Sequence, residues 1–369
     1  MGAEALCLPT FPSVERLSHD GISIESRPNP LEGQGGLSFY RAQMEYARQI
    51  ATEVRSFRAN TLLVMDDILP SLIVRALPPD VRMVQMLPCT LWPEYGRTKP
   101  ARKAALWLQK SFYREEAAAI LSASNVITRQ VRTLAGGTTR PILEFLPLYE
   151  EKMYGGVEAP TRPGPELRVL FIGRVEREKG VFELLEVARQ LGAAGRHEVR
   201  FDVCGSGGAL EMLRGAAVQA GLERTFVLHG WCDQARLREI YRDAHAVVVP
   251  TPSLVGEGFN QVVVESLLAG RPVITSRVCP ALDYVRDAVL EVPPDDVGGY
   301  LKAVLQLADD RTLYWKLQAA CASMAAPFRD AKNSYGAALK RVLEALSENS
   351  DAASSTIPTV QSRENEVVR

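Results

Sequence analysis

After residue 166, six apolar runs of strand length succeed one another: Arg168 to Ile172, Arg200 to Cys204, Thr225 to Leu228, Ala246 to Val249, Pro272 to Thr275 and Leu290 to Val292. Segments of helical period separate them. A strand that returns parallel to its predecessor needs a right-handed crossover, so this alternation predicts a parallel sheet covered by helices on both faces. The unbroken Val247, Val248 and Val249 suit a strand buried on both sides. The first half repeats the grammar more faintly, with strands expected at Ala5 to Leu8, Gly21 to Glu25, Thr61 to Met65, Arg82 to Leu87 and Ile120 to Thr128. Between them, Tyr40, Met44, Ala47, Ala51 and Val54 recur at three- and four-residue steps, which predicts a helix over about 37–57 with an apolar stripe.

A chain of 369 residues exceeds one ordinary core, and the break falls where Ala159-Pro160-Thr161-Arg162-Pro163-Gly164-Pro165 is too stiff and donor-poor for a helix or an inner strand. The expected plan is an N-terminal Rossmann-like domain over 1–158, a linker over 159–166 and a second Rossmann-like domain over 167–327. A helix over 328–347 is expected to pack back on the first domain, followed by a disordered polar tail over 348–369. The balance of 43 Lys plus Arg against 44 Asp plus Glu leaves a charge of −1, which supplies no global field for nucleic acid or an anionic membrane. The sequence holds no apolar run long enough to span a bilayer and no leader pattern, so a cytoplasmic protein is expected. Its six cysteines are scattered without a CxxC pair, so reduced thiols packed as small apolar groups are expected rather than disulfides or zinc.

Three segments carry chemistry. Glu257-Gly258-Phe259-Asn260 and Glu265 follow the strand that ends at Val249. A helix starting near Gly258 would aim unpaired N–H groups and its positive dipole end at a crevice, which suits a phosphate. Two carboxylates eight residues apart could then accept hydroxyl hydrogen bonds from different sugars of one ligand. Gly173-Arg174-Val175-Glu176-Arg177-Glu178-Lys179-Gly180 places a glycine and two cations at the end of another buried strand, where Arg174 and Lys179 could offset a diphosphate without a metal. Arg177 reads as solvated. Gly205-Ser206-Gly207-Gly208 fails the dinucleotide fingerprint, because Leu210 stands at its sixth position, and reads better as a tight strand-to-helix turn. Asp66-Asp67 and Asp295-Asp296 read as strand-end or helix-start carboxylates rather than metal ligands. His197, His229 and His245 read as packed or solvated.

Jointly, Gly173-Arg174-x4-Lys179-Gly180, Gly205-Ser206-Gly207, Glu257-x7-Glu265 and Gly270-Arg271-Pro272-Val273-Ile274 resemble the retaining glycosyltransferases of family 4. Those enzymes have the GT-B fold, an α/β architecture of two Rossmann-like domains whose parallel sheets face each other across a cleft. The resemblance covers about Leu167 to Ala308. It implies transfer of a sugar from a nucleotide-diphosphate sugar to an acceptor, with retention of anomeric configuration and no metal cofactor, in polysaccharide or glycolipid biosynthesis. It implies catalytic roles for Glu257, which would hold the transferred sugar's hydroxyls, and for Arg174 and Lys179, which would bind the diphosphate. It also implies that Glu265 holds the ribose, that Gly173, Gly205, Gly258, Phe259 and Asn260 line the donor site, and that the nucleobase sits near Gly230 and Trp231.

The chain departs from that pattern in its first half. The family usually opens on a strand and a glycine-rich loop, whereas this chain reads from the family's second strand onward, so that first unit is expected to be missing. Many members also place a His near the donor sugar, where this chain reads Met86-Leu87-Pro88-Cys89. A GT-B-like scaffold or partner subunit that binds nucleotide sugar without turnover is therefore the alternative; a nicotinamide-dependent dehydrogenase is disfavoured by the broken fingerprint. Around Trp92 to Arg114, Lys103, Trp107, Lys110 and Arg114 share one helical face and Ala101, Ala105, Leu108 and Phe112 another. A helix so arranged can rest on anionic lipid, which allows peripheral contact at the inner face of a membrane and a sugar or lipid-linked acceptor; an ordinary surface helix with snorkelling lysines is the competing reading. Nucleic acid is not an expected partner.

Overall fold

The computed structural model describes residues 5–7, 16–19, 22–25, 31, 36–65, 69–154, 156–157 and 166–351. Apart from Glu166, the expected linker lies outside them, as do Asp66, Asp67 and the tail after Asp351. Thirteen strands are described: β1 (Ala5–Cys7), β2 (Arg16–His19), β3 (Ile22–Glu25), β4 (Thr61–Val64), β5 (Arg82–Leu87), β6 (Ala119–Ser122), β7 (Ile142–Glu144), β8 (Leu167–Ile172), β9 (Val199–Cys204), β10 (Phe226–Gly230), β11 (Ala246–Val249), β12 (Val273–Ser276) and β13 (Val289–Val292). They form three sheets, of order β1-β3-β2, β4-β5-β6-β7 and β10-β9-β8-β11-β12-β13. By contacts the chain divides into two units. One comprises Met1–Met86, Lys103–Ile120 and Leu134–Pro141, the other Leu87–Arg102, Leu121–Thr133 and Ile142–Arg369.

In the six-stranded sheet every neighbouring pair is parallel. Its strands are buried on both faces because alternate side chains feed two different cores. Val169, Phe171, Phe201, Val203, Ala246 and Val248 pack into one, Leu170, Cys204 and Val247 into the other. The helices Val181–Ala193 and Val297–Asp309 cover the first core. Gln234–Asp243 and Gln261–Leu268 cover the second. The order reverses direction between β8 and β11, the switch point at whose carboxyl edge α/β sheets bind ligands. Arg271, with no exposed surface, precedes β12 at the opposite, amino-end edge and donates to the carbonyls of Ala244, Val157 and Ala269. Burial pulls its guanidinium down to about 10.

The earlier strands depart from the expectation in several respects. β2, unforeseen, pairs antiparallel with β3, while β1 pairs parallel with it, so these three form a sheet apart from β4-β5-β6-β7. β7 is likewise unforeseen. The expected strand over Ile120 to Thr128 stops at Ser122, and a helix runs from Asn125 to Ala135. Ser122 Oγ donates to the Ser124 carbonyl at 2.7 Å and Thr128 Oγ1 to Ser122 Oγ at 3.1 Å, bonds that turn the backbone out of the ladder. In the helix Gly36–Phe57 the stripe is buried at Ala47, Ala51 and Val54, but Tyr40 and Met44 are exposed. The helix Pro100–Leu108 buries Leu106 and gives way to a wider π turn, Phe112–Glu116, that buries Phe112 and Tyr113. Leu108 is exposed beside Trp107, whereas Phe112, expected on the same face as Leu108, is buried. No described helix is long and apolar enough to cross a membrane.

The last helix, Tyr335–Asp351, buries Ala338, Val342 and Leu346 at four-residue steps and extends past the expected end at 347. Just before it, Phe328 and Asn333 offer carbonyls to the N–H groups of Tyr149 and Leu146, at 2.9 and 2.8 Å. Five described cysteines are free thiols. Two of them, scattered in sequence, meet in the fold. The register sets Cys204 opposite Gly230, and Cys232 comes within hydrogen-bonding reach of Cys204, whose thiol is pushed up by burial and by that neighbour.

Candidate functional site

The site residues gather at the carboxyl edge of the six-stranded sheet, within the second unit. β8 ends at Ile172 and leads into Gly173, Arg174 and a short 3-10 turn, Arg177–Lys179. β11 ends at Val249 and leads through Pro250 to Glu257. These two loops flank the switch point, and one ion pair joins them: Lys179 Nζ donates to Glu257 Oε1. The side chains are 25% and 15% exposed, so the pair is sheltered but still within reach of a solute. Arg174 is exposed on the same loop. Arg177 is exposed, as expected, and also lays its guanidinium over the Phe182 ring at 4.6 Å and donates to Met212 Sδ.

Backbone bonds lace the strand ends. Gly173 N–H donates to Cys204 O at 3.0 Å and Gly205 N–H to Gly230 O at 2.7 Å. At Gly205 a Cβ would overlap the Gly173 carbonyl oxygen, so only glycine admits this approach. The reading of Gly205-Ser206-Gly207 as a tight turn fits this packing. Beyond Gly230, Trp231 stands 74% exposed at the same edge, and Asp233 caps the next helix by accepting from Arg236 N–H at 2.8 Å.

The helix expected to start near Gly258 begins three residues later, at Gln261, because Asn260 adopts a left-handed conformation (φ 69°) as its N-cap. Asn260 Nδ2 donates to Thr251 Oγ1 at 3.3 Å, and its buried Oδ1 has no partner. Gly258 is instead a close-approach glycine, since a Cβ there would overlap the Pro88 carbonyl oxygen. Phe259 turns its ring into an aromatic cluster with Tyr284 and Phe328, at 5.6 and 5.7 Å, and its carbonyl accepts from Ala281 N–H at 3.1 Å. Pro88 thus stands beside the β11 loop, a neighbour that sequence spacing could not disclose.

Glu265, one turn into the helix, does not meet the Lys179–Glu257 pair in any described contact. Its companions are Tyr149 and Tyr154, from the segment ahead of the linker. Tyr149 O–H donates to Glu265 Oε1 at 3.3 Å, and the Tyr154 hydroxyl lies close enough to this carboxylate to favour its ionised form. Burial raises the Glu265 carboxyl above its ordinary range, and the two hydroxyls oppose that rise. Neither tyrosine was foreseen. They belong to no motif, and their only sequence signal is a Tyr pair five apart in Tyr149-Glu150-Glu151-Lys152-Met153-Tyr154.

The remaining polar groups have local partners. Asp296 caps the helix Val297–Asp309 through Gly299 N–H at 2.8 Å, and Asp295 accepts from Ser253 N–H at 3.0 Å. His229 Nε2 lies 2.7 Å from Asp202 Oδ1. His245 Nδ1 accepts from Arg168 N–H at 2.9 Å. His197 is exposed.

Residues 158–325 match the family model of glycosyl transferases group 1. Among curated relatives, an uncharacterized glycosyltransferase of Methanocaldococcus jannaschii is 29% identical over 124 residues, covering 34% of this chain and 30% of the relative. The chain spans less than half the length of the curated relatives it matches. Among solved structures, a UDP-forming α,α-trehalose-phosphate synthase of Burkholderia xenovorans superposes with a TM-score of 0.72 at 14% identity, covering 96% of this chain and 100% of the other. HepE of Anabaena, solved with UDP, superposes with a TM-score of 0.63 at 15% identity over 89% and 86%. These likenesses establish the GT-B fold, two Rossmann-like sheets with their helices, and together with the matched segment they support a GT-B glycosyltransferase.

Proposed function

We propose that this chain transfers a sugar from a nucleotide-diphosphate sugar to an acceptor with retention of anomeric configuration, as family 4 glycosyltransferases do. The observation that carries the reading is the Lys179–Glu257 ion pair bridging the β8 and β11 loops at the switch point. A donor diphosphate arriving there would compete for Lys179 and release Glu257 to accept the transferred sugar's hydroxyls. As the anomeric C–O bond breaks, its electron pair moves onto the diphosphate oxygen. Lys179, Arg174 and the N–H groups opening the helix Gln261–Leu268 would stabilise that charge without a metal. The acceptor hydroxyl attacks from the departing group's own face and gives its proton to the leaving phosphate. Gly173 and Gly205 would let the donor approach the strand ends, the backbone of Gly258, Phe259 and Asn260 would face phosphate and sugar, and Glu265 would hold the ribose. That HepE was solved with UDP supports a nucleotide ligand here, with Trp231 as the exposed ring on which a base would stack.

The acceptor would be a sugar or lipid-linked sugar, in polysaccharide or glycolipid biosynthesis on the cytoplasmic side of a membrane. Supporting that placement, Trp107 and Leu108 are exposed together on a helix that also exposes Arg102, Lys103 and, one turn later, Lys110. The test incubates the full chain with a panel of nucleotide sugars and candidate acceptors, with mass spectrometry for transfer and proton NMR for the product anomer. Consumption of one donor with the anomer kept is the expected result. An inverted product would defeat retention, and tight donor binding with no turnover across the panel would point to a non-catalytic binding subunit.

A further inference from the structure

We propose that Tyr149 and Tyr154 are positioning residues that hold the Glu265 side chain in the orientation in which its carboxylate accepts both hydroxyls of the donor's ribose. This rests on the assignment of Glu265 to the ribose and extends it to two residues that no motif contains. A carboxylate can accept about four hydrogen bonds, so two tyrosine hydroxyls beside it still leave lone pairs for a vicinal diol. The diol needs those lone pairs in one fixed direction, which a glutamate with free side-chain torsions does not supply unaided.

The fold supplies the anchorage. Tyr149 N–H donates to Phe328 O at 2.9 Å, fixing the backbone that presents one hydroxyl. Arg238 Nη1 donates to the carbonyls of Lys152 and Met153 at 3.0 Å each, and Val157 N–H to Tyr154 O at 3.2 Å, fixing the turn that presents the other. The rings lock edge to face, Tyr149 on Tyr154 at 6.2 Å and Tyr154 on the buried Tyr241 at 6.1 Å. Tyr149, Tyr154 and Tyr241 are the titratable neighbours of Glu265. Burial favours the protonated carboxyl, which would present one oxygen as a donor and spoil the bidentate site; hydroxyl donation favours the ionised form.

The experiment measures calorimetric affinities of UDP, GDP and ADP and of their 2′-deoxy counterparts for the full chain, for Tyr149→Phe and Tyr154→Phe singly and together, and for Glu265→Gln. Removing only a hydroxyl keeps the packing, and thermal melts confirm folding; each single variant carries the test should the double one fail to fold. The wild type is expected to prefer one ribonucleotide over its deoxy form by about tenfold, and the double variant to lose most of that preference while binding the deoxy form unchanged. Affinity falls in acid as Glu265 protonates, and the double variant should show that fall beginning at higher pH. An unaltered ribo-to-deoxy ratio and pH profile in the tyrosine variants, with Glu265→Gln impaired, would overturn the proposal and leave the ribose assignment standing. If Glu265→Gln also keeps the wild-type ratio, the ribose assignment itself falls, and if the wild type binds none of the nucleotides, the donor-site reading falls; each takes the tyrosine proposal with it.

Discussion

Lys179 and Glu257 satisfy each other's charge, which gives substitutions at the pair different consequences from those at a solvated charge. Truncating Lys179 removes a charge-assisted phosphate contact and leaves Glu257 sheltered without its cation. For Lys179→Ala we expect kcat/KM to fall by about 2–3 kcal/mol, roughly a hundredfold, with steady-state kinetics as the check. Glu257→Gln should depress kcat while circular dichroism and the melting temperature stay close to wild type, because an amide offers sugar hydroxyls a different set of donors and acceptors. Wild-type rates in either variant would remove that residue from the site. Both residues were legible in the sequence, since each follows a strand that ends in a loop. Their pairing was not, because the two loops lie far apart along the chain and meet only through the order of the sheet, in which β8 lies beside β11.

At the level of strands and turns, the second half of the chain is tightly packed where backbone meets backbone. Gly205 touches the Gly173 carbonyl, and Gly205→Ala would force the β8 and β9 ends apart. We expect a loss of about 1–3 kcal/mol, the usual cost of overpacking, read from urea melts, together with weakened donor binding; an unchanged midpoint would show that the turn can relax. The β9–β10 pair carries a pH dependence. Burial alone would raise the Asp202 carboxyl, yet the hydrogen bond with His229 and the nearby Arg200 and Arg168 hold it below its ordinary value. A carboxyl whose folded pKa is depressed contributes stability above its unfolded pKa of about 3.9 and loses it as pH falls through the folded value. Asp202→Asn should therefore be less stable than wild type at pH 7, with the gap narrowing below about pH 4. Melts in which the gap is constant across that range would contradict the assignment. The period of side chains located these strands well. It misjudged Ile120 to Thr128, where hydroxyl bonds, not visible in apolar spacing, reset the backbone.

Across the whole molecule, a formal charge of −1 leaves membrane contact to local surface alone. We expect the chain to sediment with phosphatidylserine-rich vesicles, to release as salt shortens the Debye length, and to bind less when Trp107 and Leu108 are both changed to Ser. Equal recovery with neutral vesicles, or none with anionic ones, would count against a lipid-linked acceptor. The sequence by itself determined the alternation of strands and helices, the glycines and cations at strand ends and the resemblance they carry, because each depends on residues close together along the chain. Only the tertiary structure decided that β1-β3-β2 stands as a separate sheet, that Pro88 abuts Gly258, that Cys204 meets Cys232, and that two tyrosines more than a hundred residues away bear on Glu265. Those contacts follow from strand order and from where connecting segments are anchored, and neither is written in the spacing of neighbouring side chains.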